Sequence, residues 1–193
     1  MRPIRIAFAL CLALLVAACL PVTSTSPVGS TAGFKSDPTL TGIWKGKPKD
    51  ADNSTYFVFL PGDDETINTL MFSTEPGDSG WMALTLQTSQ LGSLHFISAK
   101  IVSQDGKPSD DPASKNTIPM LYSFSNGKIS LYLVDEDAVK AAINTGKLEG
   151  TIEPGSCGDV VITASPEKLD KFMQSADGRA LFKEPFAILT KVE

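Results

Sequence analysis

Apolar and polar residues alternate along much of the chain between residues 40 and 134. In segment 81–88, Met82, Leu84 and Leu86 fall on one face of an extended chain, and smaller or polar residues fall on the other. This two-residue period is typical of antiparallel strands that bury one face. It predicts strands at 42–47, 55–60, 66–73, 81–88, 94–102, 120–125 and 128–134.

The dipeptide Asn126-Gly127 separates the last two of these predicted strands. Both residue types tolerate the positive φ angles of a two-residue type I′ turn, so we expect a hairpin at this point. Segment 56–60 differs from the other strands because it is apolar on both faces. We therefore expect that segment at the centre of the sheet or beneath a helix.

Helical signals enter in the last third of the chain. Acidic residues at 135–137 suit the positive end of a helix dipole, and Gly146 would end that helix. Serine and proline at 165–166 predict the start of a second helix. Further short strands are expected at 150–152, 159–164 and 186–192. The predicted fold is mainly β (a β-rich α+β fold): an antiparallel, closed or nearly closed barrel-like sheet with two short helices in the C-terminal third.

The N-terminal segment shows a pattern of charge and hydrophobicity that differs from the rest of the chain. A short basic end precedes an uncharged stretch over 6–16, which has the length of a signal-peptide core and is too short for a comfortable membrane span. The stretch ends in Val16-Ala17-Ala18-Cys19. This pattern resembles the processing signal of bacterial lipoproteins, and the resemblance implies cleavage before Cys19 and attachment of lipid to that cysteine. The alternative is an ordinary secretory signal that is cut nearby, with the cysteine incidental.

The lipoprotein resemblance divides the chain into a signal peptide at 1–18, a lipid-anchored flexible linker at 19–39 and a single β-rich globular domain at 40–193. Serine, threonine, proline and glycine dominate the linker segment, and this composition is typical of disorder. Leu20 follows the lipid-carrying position, which in enterobacterial lipoproteins implies sorting to the outer membrane. We therefore expect a lipid-anchored protein of the bacterial cell envelope that faces the periplasm.

The formal net charge of the chain is −5, and removal of residues 1–18 would take away two arginines and leave −7. This acidity argues against nucleic acid as a partner, because nucleic-acid binding needs clustered lysine and arginine. It also leaves no polybasic patch for anionic lipids. We therefore expect the membrane to be reached through the lipid on Cys19. Cys157 would remain as a free thiol, since Cys11 leaves with the signal peptide.

No residue pattern in the sequence predicts catalysis. The tetrapeptide at 77–80 resembles the nucleophile signature of chymotrypsin-type serine proteases, but Trp81 stands where that family has glycine. The family's histidine precedes its serine, whereas the one histidine of this chain, His95, lies downstream. A serine without its base is an ordinary alcohol. We therefore expect no catalytic residue, no metal site and no cofactor.

His95 shares one face of its predicted strand with Ile97, Ala99 and Ile101, so its side chain is predicted to point inward. Two interpretations remain open at this point. The residue is either a hydrogen-bonded histidine in the core or at the rim, or a wall residue of a cavity. A metal site would need further ligands, and the chain has neither a second histidine nor a nearby cysteine.

Gly42-Ile43-Trp44, at the start of the first predicted strand, resembles the Gly-x-Trp motif of calycin (lipocalin-like) barrels. The resemblance implies a barrel in which the tryptophan packs across the closed end. The second signature of lipocalins is an arginine near the last barrel strand, and this chain offers only Lys191 there.

Two functions are compatible with these patterns. The first is a non-catalytic, lipid-anchored envelope lipoprotein that acts as an accessory or scaffold protein for an envelope protein partner. The alternative is a lipocalin-like binder of a small apolar ligand or lipid. Its candidate ligand-binding residues are Met82, Leu84, Leu86 and His95. An apolar interior cavity of several hundred cubic ångströms would favour the binder, and a filled core would favour the scaffold.

Overall fold

The computed structural model describes residues 21–48, 53–74, 80–109, 112–155 and 159–193. Its strands are β1 (Thr23–Ser24), β2 (Gly42–Pro48), β3 (Thr55–Pro61), β4 (Thr66–Phe72), β5 (Trp81–Leu91), β6 (Leu94–Gln104), β7 (Lys107–Pro108), β8 (Ile118–Ser125), β9 (Lys128–Leu133), β10 (Gly150–Ile152), β11 (Val160–Ile162) and β12 (Ala187–Lys191). Its helices are α1 (Glu136–Asn144), α2 (Pro166–Gln174) and α3 (Ala176–Arg179). The predicted signal peptide, Cys19, Cys157 and most of the tetrapeptide at 77–80 lie outside the described residues.

Eight strands close into an antiparallel barrel, so the predicted β-rich, barrel-like fold is confirmed. Their order around the ring is β2-β3-β4-β5-β6-β8-β9-β12, and β12 pairs with β2 to complete it. The helices number three rather than the predicted two, because α3 follows α2 directly and Ser175 caps it by accepting a hydrogen bond from the Gly178 N–H. A closed ring has no free edge to which another strand could add.

Local turn and cap chemistry behaves as the sequence predicts. At the β8–β9 turn, φ is 53° at Asn126 and 73° at Gly127, as a type I′ turn requires. At the start of α1, the Asp135 carboxylate accepts a hydrogen bond of 2.8 Å from the Ala138 N–H. Among the described residues, no helix is both long enough and apolar enough to span a bilayer.

Two hydrophobic cores lie on either side of the barrel wall. The inner core fills the barrel with large side chains that include Trp44, Phe57, Phe59, Leu84, Leu86, Ile97, Ile129, Leu131 and Leu189. The outer core joins β5, β6 and β8 to the helices and to a small sheet of order β1-β11-β10. Its members include Val22, Val28, Leu91, Phe96, Val139, Ile162, Leu169 and Met173. The helical layer therefore covers one side of the barrel.

Residues 21–41, which we term the N-terminal strap, are folded onto the barrel. Val22 and Val28 are buried in the outer core, β1 pairs in parallel with β11, and Leu40 is buried in the inner core. The prediction of a flexible linker over 19–39 is therefore wrong for residues 21–39. The segment is poor in apolar residues, as the prediction assumed, but hydrogen bonds to distant side chains order it.

The carboxylate of Asp170, on α2, holds the middle of the strap. Asp170 is 3% exposed, and it accepts hydrogen bonds from the Gly29 N–H at 2.6 Å, the Thr31 N–H at 3.1 Å and the Thr31 hydroxyl at 2.5 Å. Gly29 has a φ of +84°, and a Cβ atom there would lie 2.1 Å from the Ser89 hydroxyl oxygen. A buried carboxylate is tolerated only when hydrogen bonds compensate for its lost solvation, so the strap and α2 depend on each other.

Candidate functional site

A cleft of about 510 Å³ opens at the barrel end that the strap crosses. One wall is formed by strap residues 32–38, and the other is formed by the β5–β6 hairpin and a tyrosine of β8. The polar side chains in its lining are Lys35, Ser36, Asp37, Thr88, Ser89, Gln90, His95 and Tyr122. The volume lies within the range of small-molecule sites, about 300–1,000 Å³.

Asp37 supplies the negative charge of this cleft. Its Oδ2 atom accepts a hydrogen bond of 2.6 Å from the Tyr122 hydroxyl. Its Oδ1 atom accepts from the Thr39 N–H at 2.9 Å and from the Thr39 hydroxyl at 2.7 Å. Partial burial alone would raise the pKa of Asp37, but these hydrogen bonds outweigh it and hold the pKa below its usual range. Asp37 is therefore ionised at neutral pH.

The pKa of the Tyr122 phenol is shifted upwards, in the direction opposite to that of Asp37. Tyr122 is 4% exposed, so burial raises the pKa of its hydroxyl, and donation to the Asp37 carboxylate raises that pKa further. The phenol thus stays protonated over the physiological range. The pair forms a fixed link between the strap and β8.

His95 lies beside this pair on the inner face of β6, as its alternation with Ile97 and Ala99 predicts. The centre of its ring is 5.5 Å from the centre of the Tyr122 ring, and the two planes are inclined by 60°. The partly buried imidazole makes no hydrogen bond to another described residue. Its ring nitrogens are therefore free to bind a ligand in the cleft.

The four candidate ligand-binding residues do not form one wall. Leu84 and Leu86 are buried in the inner core, 7% and 4% exposed. Met82 pairs with Gln104 and His95 pairs with Gln90, so the two lie at opposite ends of the β5–β6 ladder. The cleft lining includes His95 but none of the other three candidates.

Partly buried apolar side chains surround the far end of the barrel interior. Met71 and Met82 are direct cross-strand partners there, and both pack against the inner core. The other members of this group are Ile101, Ile118, Met120 and Phe186. Nearby, the Thr69 hydroxyl is buried and has no hydrogen-bond partner among the described residues. This end of the interior is therefore lined by apolar side chains that are partly exposed.

Trp44 occupies the strap end of the barrel, and it is 1% exposed. Its indole Nε1 donates a hydrogen bond of 2.7 Å to the Leu40 carbonyl oxygen. The ammonium of Lys191 lies 5.4 Å from the centre of the indole ring. Lys191 is also the register partner of Trp44 on β12, so its ammonium group lies over the indole ring.

Apolar side chains also cover the outer face of the barrel on the side opposite the helices. Ile43, Val58, Leu70 and Ala83 are direct partners across β2 to β5, and Tyr56, Phe72 and Trp81 form a second row. The outer apolar band, as we term it, consists of Ile43, Tyr56, Val58, Leu60, Leu70, Phe72, Trp81, Ala83 and Val192. Ile43 is 46% exposed and Leu60 is 55% exposed. Of the two expected places for segment 56–60, the structure shows the first: β3 lies within the sheet between β2 and β4, and no helix of the described residues covers its outer face.

Comparisons with models of known protein families, with curated proteins and with solved structures find no match to this chain. Within the described part of the chain, no group of three or more histidine, cysteine, aspartate or glutamate side chains could hold a metal ion. The cleft, the outer apolar band and the two ends of the barrel interior are therefore the features of the described residues that bear on function.

Sequence reasoning found His95 but missed Asp37, Tyr122 and the outer apolar band. A signal for Asp37 was present, because Asp-Pro-Thr at 37–39 favours a turn in which the aspartate accepts from the N–H two residues on. Tyr122 carries no such local signal. Its role depends on the register that places it opposite His95.

The link between Tyr122 and Asp37 predicts a specific loss of stability at high pH. The pKa of Tyr122 is raised by folding, so its contribution is complete below about pH 10 and is lost as the pH rises further. Tyr122→Phe should lower the free energy of unfolding at neutral pH by about 1.5–3 kcal/mol, because a buried hydrogen bond to a charged group is removed.

Urea unfolding, followed by tryptophan fluorescence, should then show the two proteins converging above about pH 10, since only the wild type has this phenol to ionise. Parallel stability curves for the wild type and the Tyr122→Phe variant would contradict the assignment.

Proposed function

We propose that this chain is a lipid-anchored protein of the bacterial cell envelope that acts as a non-catalytic scaffold or accessory protein. The tetrapeptide ending in Cys19 supports the anchor. The outer apolar band is the observation that carries the scaffold role, because the largest apolar patch on a protein surface is often a contact site for a partner. The band covers four adjacent strands and about four residues along each, an area on the order of 300 Å².

The position of the strap limits what the band can contact. Val22 is already buried in the fold, and it follows Cys19 by three residues. Three residues span at most about 10 Å. A lipid on Cys19 would therefore hold the folded body close to the bilayer instead of on a long tether.

The anchored end and the outer apolar band lie on opposite sides of the barrel. Ser24 bridges to Thr117, next to β8, whereas the centre of the band is on β3, four strands away in either direction around the ring. Eight tilted strands give a barrel about 16 Å wide. This width exceeds the distance of about 10 Å that the three residues from Cys19 to Val22 can span. The band is therefore available to a protein that approaches from the side away from the anchoring membrane.

The partner that fits this surface is the apolar, weakly charged face of another envelope protein. The barrel has no free strand edge to offer, so side chains of the band would provide the contact. The aromatic row is suited to this role, with Tyr56 and Phe72 stacked at 5.5 Å and the Lys45 ammonium 5.2 Å from the Tyr56 ring. A second copy in the same membrane is disfavoured, because its band would face the same direction.

The lipid anchor is tested by replacing its cysteine. Cys19→Ser should abolish acylation and release the protein to the soluble fraction, because the acidic body offers no other membrane affinity. Cys157→Ser is the matched control and should remain lipidated and membrane-bound. Membrane fractionation with labelled palmitate measures both properties. Palmitate incorporation by the Cys19→Ser variant would contradict the proposal.

The docking role of the band is tested by photo-crosslinking in intact cells. A photoreactive amino acid at position 43 or 60 should give one discrete protein adduct, and Val58→Lys in the centre of the band should remove it. Position 124 is the control, because Phe124 is 53% exposed but lies outside the band. Adducts of twice the chain mass, or equal adducts from position 124, would overturn this assignment.

A second candidate function is a lipocalin-like binder of a small apolar ligand or lipid. The far end of the interior favours it, since Met71, Met82 and Met120 are partly buried there and the buried Thr69 hydroxyl has no hydrogen-bond partner among the described residues. Methionine side chains adapt to ligands of variable shape. The packing of Leu84 and Leu86 in the inner core restricts such a site to this end.

A displacement titration with a fluorescent fatty acid separates the two candidates. The binder predicts saturable binding that Met82→Arg removes, because a charge on the inner face would be buried against the ligand. Leu60→Arg, on the outer face, is the control and should bind as the wild type does. The absence of saturable binding by the wild type would rule out this second function.

A further inference from the structure

The cleft at the strap end holds a carboxylate that forms no salt bridge within the described residues. Asp37 is ionised, and among the described residues it accepts hydrogen bonds from Tyr122 and Thr39. Lys35 also lines the cleft but makes no salt bridge with Asp37. A partly buried carboxylate without a counter-ion favours the arrival of a positive charge.

Two acceptor groups near Asp37 are unused. The Asp37 Oδ2 atom takes one hydrogen bond from Tyr122, and a carboxylate oxygen can accept a second. The Gln90 amide nitrogen donates to the Gly92 carbonyl oxygen at 2.9 Å, which leaves the amide oxygen open. A ligand with donor groups would satisfy these two acceptors, while Lys35 and Ser36 in the same lining offer donors to its other end.

We propose that this cleft binds a small organic amine in its protonated form, with the ammonium group on the Asp37 carboxylate. The rings of Tyr122 and His95 form the adjoining wall, and aromatic faces attract ammonium groups. A divalent metal ion is a poorer fit, because the described residues provide no group of three acidic, histidine or cysteine ligands. This site is independent of the lipid anchor and of the outer apolar band.

The single histidine of the chain makes the proposal directly testable. In the full mature protein, the ring-proton resonance of His95 reports on the cleft without any resonance assignment. Ethanolamine, added at constant pH and ionic strength, should shift this resonance saturably in the millimolar range. Ethylene glycol replaces the ammonium by a hydroxyl group and glycolate reverses the charge, so neither should shift it saturably.

Variants separate the charge of the cleft from its shape. Asp37→Asn should weaken ethanolamine binding at least about tenfold, because it removes the charge and keeps the size of the side chain. Asp37→Glu keeps the negative charge on a side chain one methylene longer, and it should bind ethanolamine more tightly than Asp37→Asn does. Glu149→Gln, in a different cleft between α1 and α2, is the control and should bind as the wild type does.

Three results would overturn the proposal. They are the absence of a saturable shift with ethanolamine, an equal shift with ethylene glycol, and unchanged affinity in the Asp37→Asn variant. Binding by Asp37→Glu that is no tighter than binding by Asp37→Asn would also overturn it, because the effect would then follow the fold of the strap and not the charge.

Discussion

Hydrogen bonds from the strap to buried side chains determine how the rest of the molecule is arranged. Asp170 is the main acceptor, and it fixes Gly29 and Thr31 against α2. The same strap then continues to the barrel end, where Asp37 meets Tyr122. The cleft exists because the strap forms one of its walls. The burial of Val22 at the start of the strap belongs to the same arrangement.

The apolar outer surface of the barrel is covered along β6–β8 and exposed along β2–β5. On the β6–β8 side, the helices and the small sheet cover residues such as Leu91 and Phe96. On the β2–β5 side, the outer apolar band has no such cover within the described residues. Exposed apolar surface lowers the solubility of a protein. A partner would therefore stabilise the molecule most by covering the β2–β5 side. The N-terminal end of the strap lies on the covered side, because β1 pairs with β11 and Ser24 bridges to Thr117.

The barrel could be predicted from the sequence because its strands carry their own signal. Alternation places Trp44, Phe57 and Leu84 inside, and the turn at Asn126-Gly127 fixes one hairpin locally. The strap could not be predicted in this way, because its order comes from Asp170, about 140 residues away in sequence. Composition alone therefore gave the wrong answer for residues 21–39.

The candidate site shows the same division between local and long-range information. Alternation placed His95 on the inner face, whereas only the folded register brings it beside Tyr122 and the strap. Segment 56–60 was correctly recognised as apolar on both faces. The sequence did not reveal that its outer face stays uncovered, because the helices pack on strands that lie farther along the chain.

Amide hydrogen exchange of the strap in the mature protein is the most direct test of this account. The N–H groups of Val28, Gly29 and Thr31 each donate to a buried side-chain acceptor. Their exchange should therefore be slowed as strongly as that of the barrel amides, and Asp170→Ala should release the strap while the barrel stays protected. Exchange of these three amides at the rate of an unfolded chain in the wild type would contradict the account.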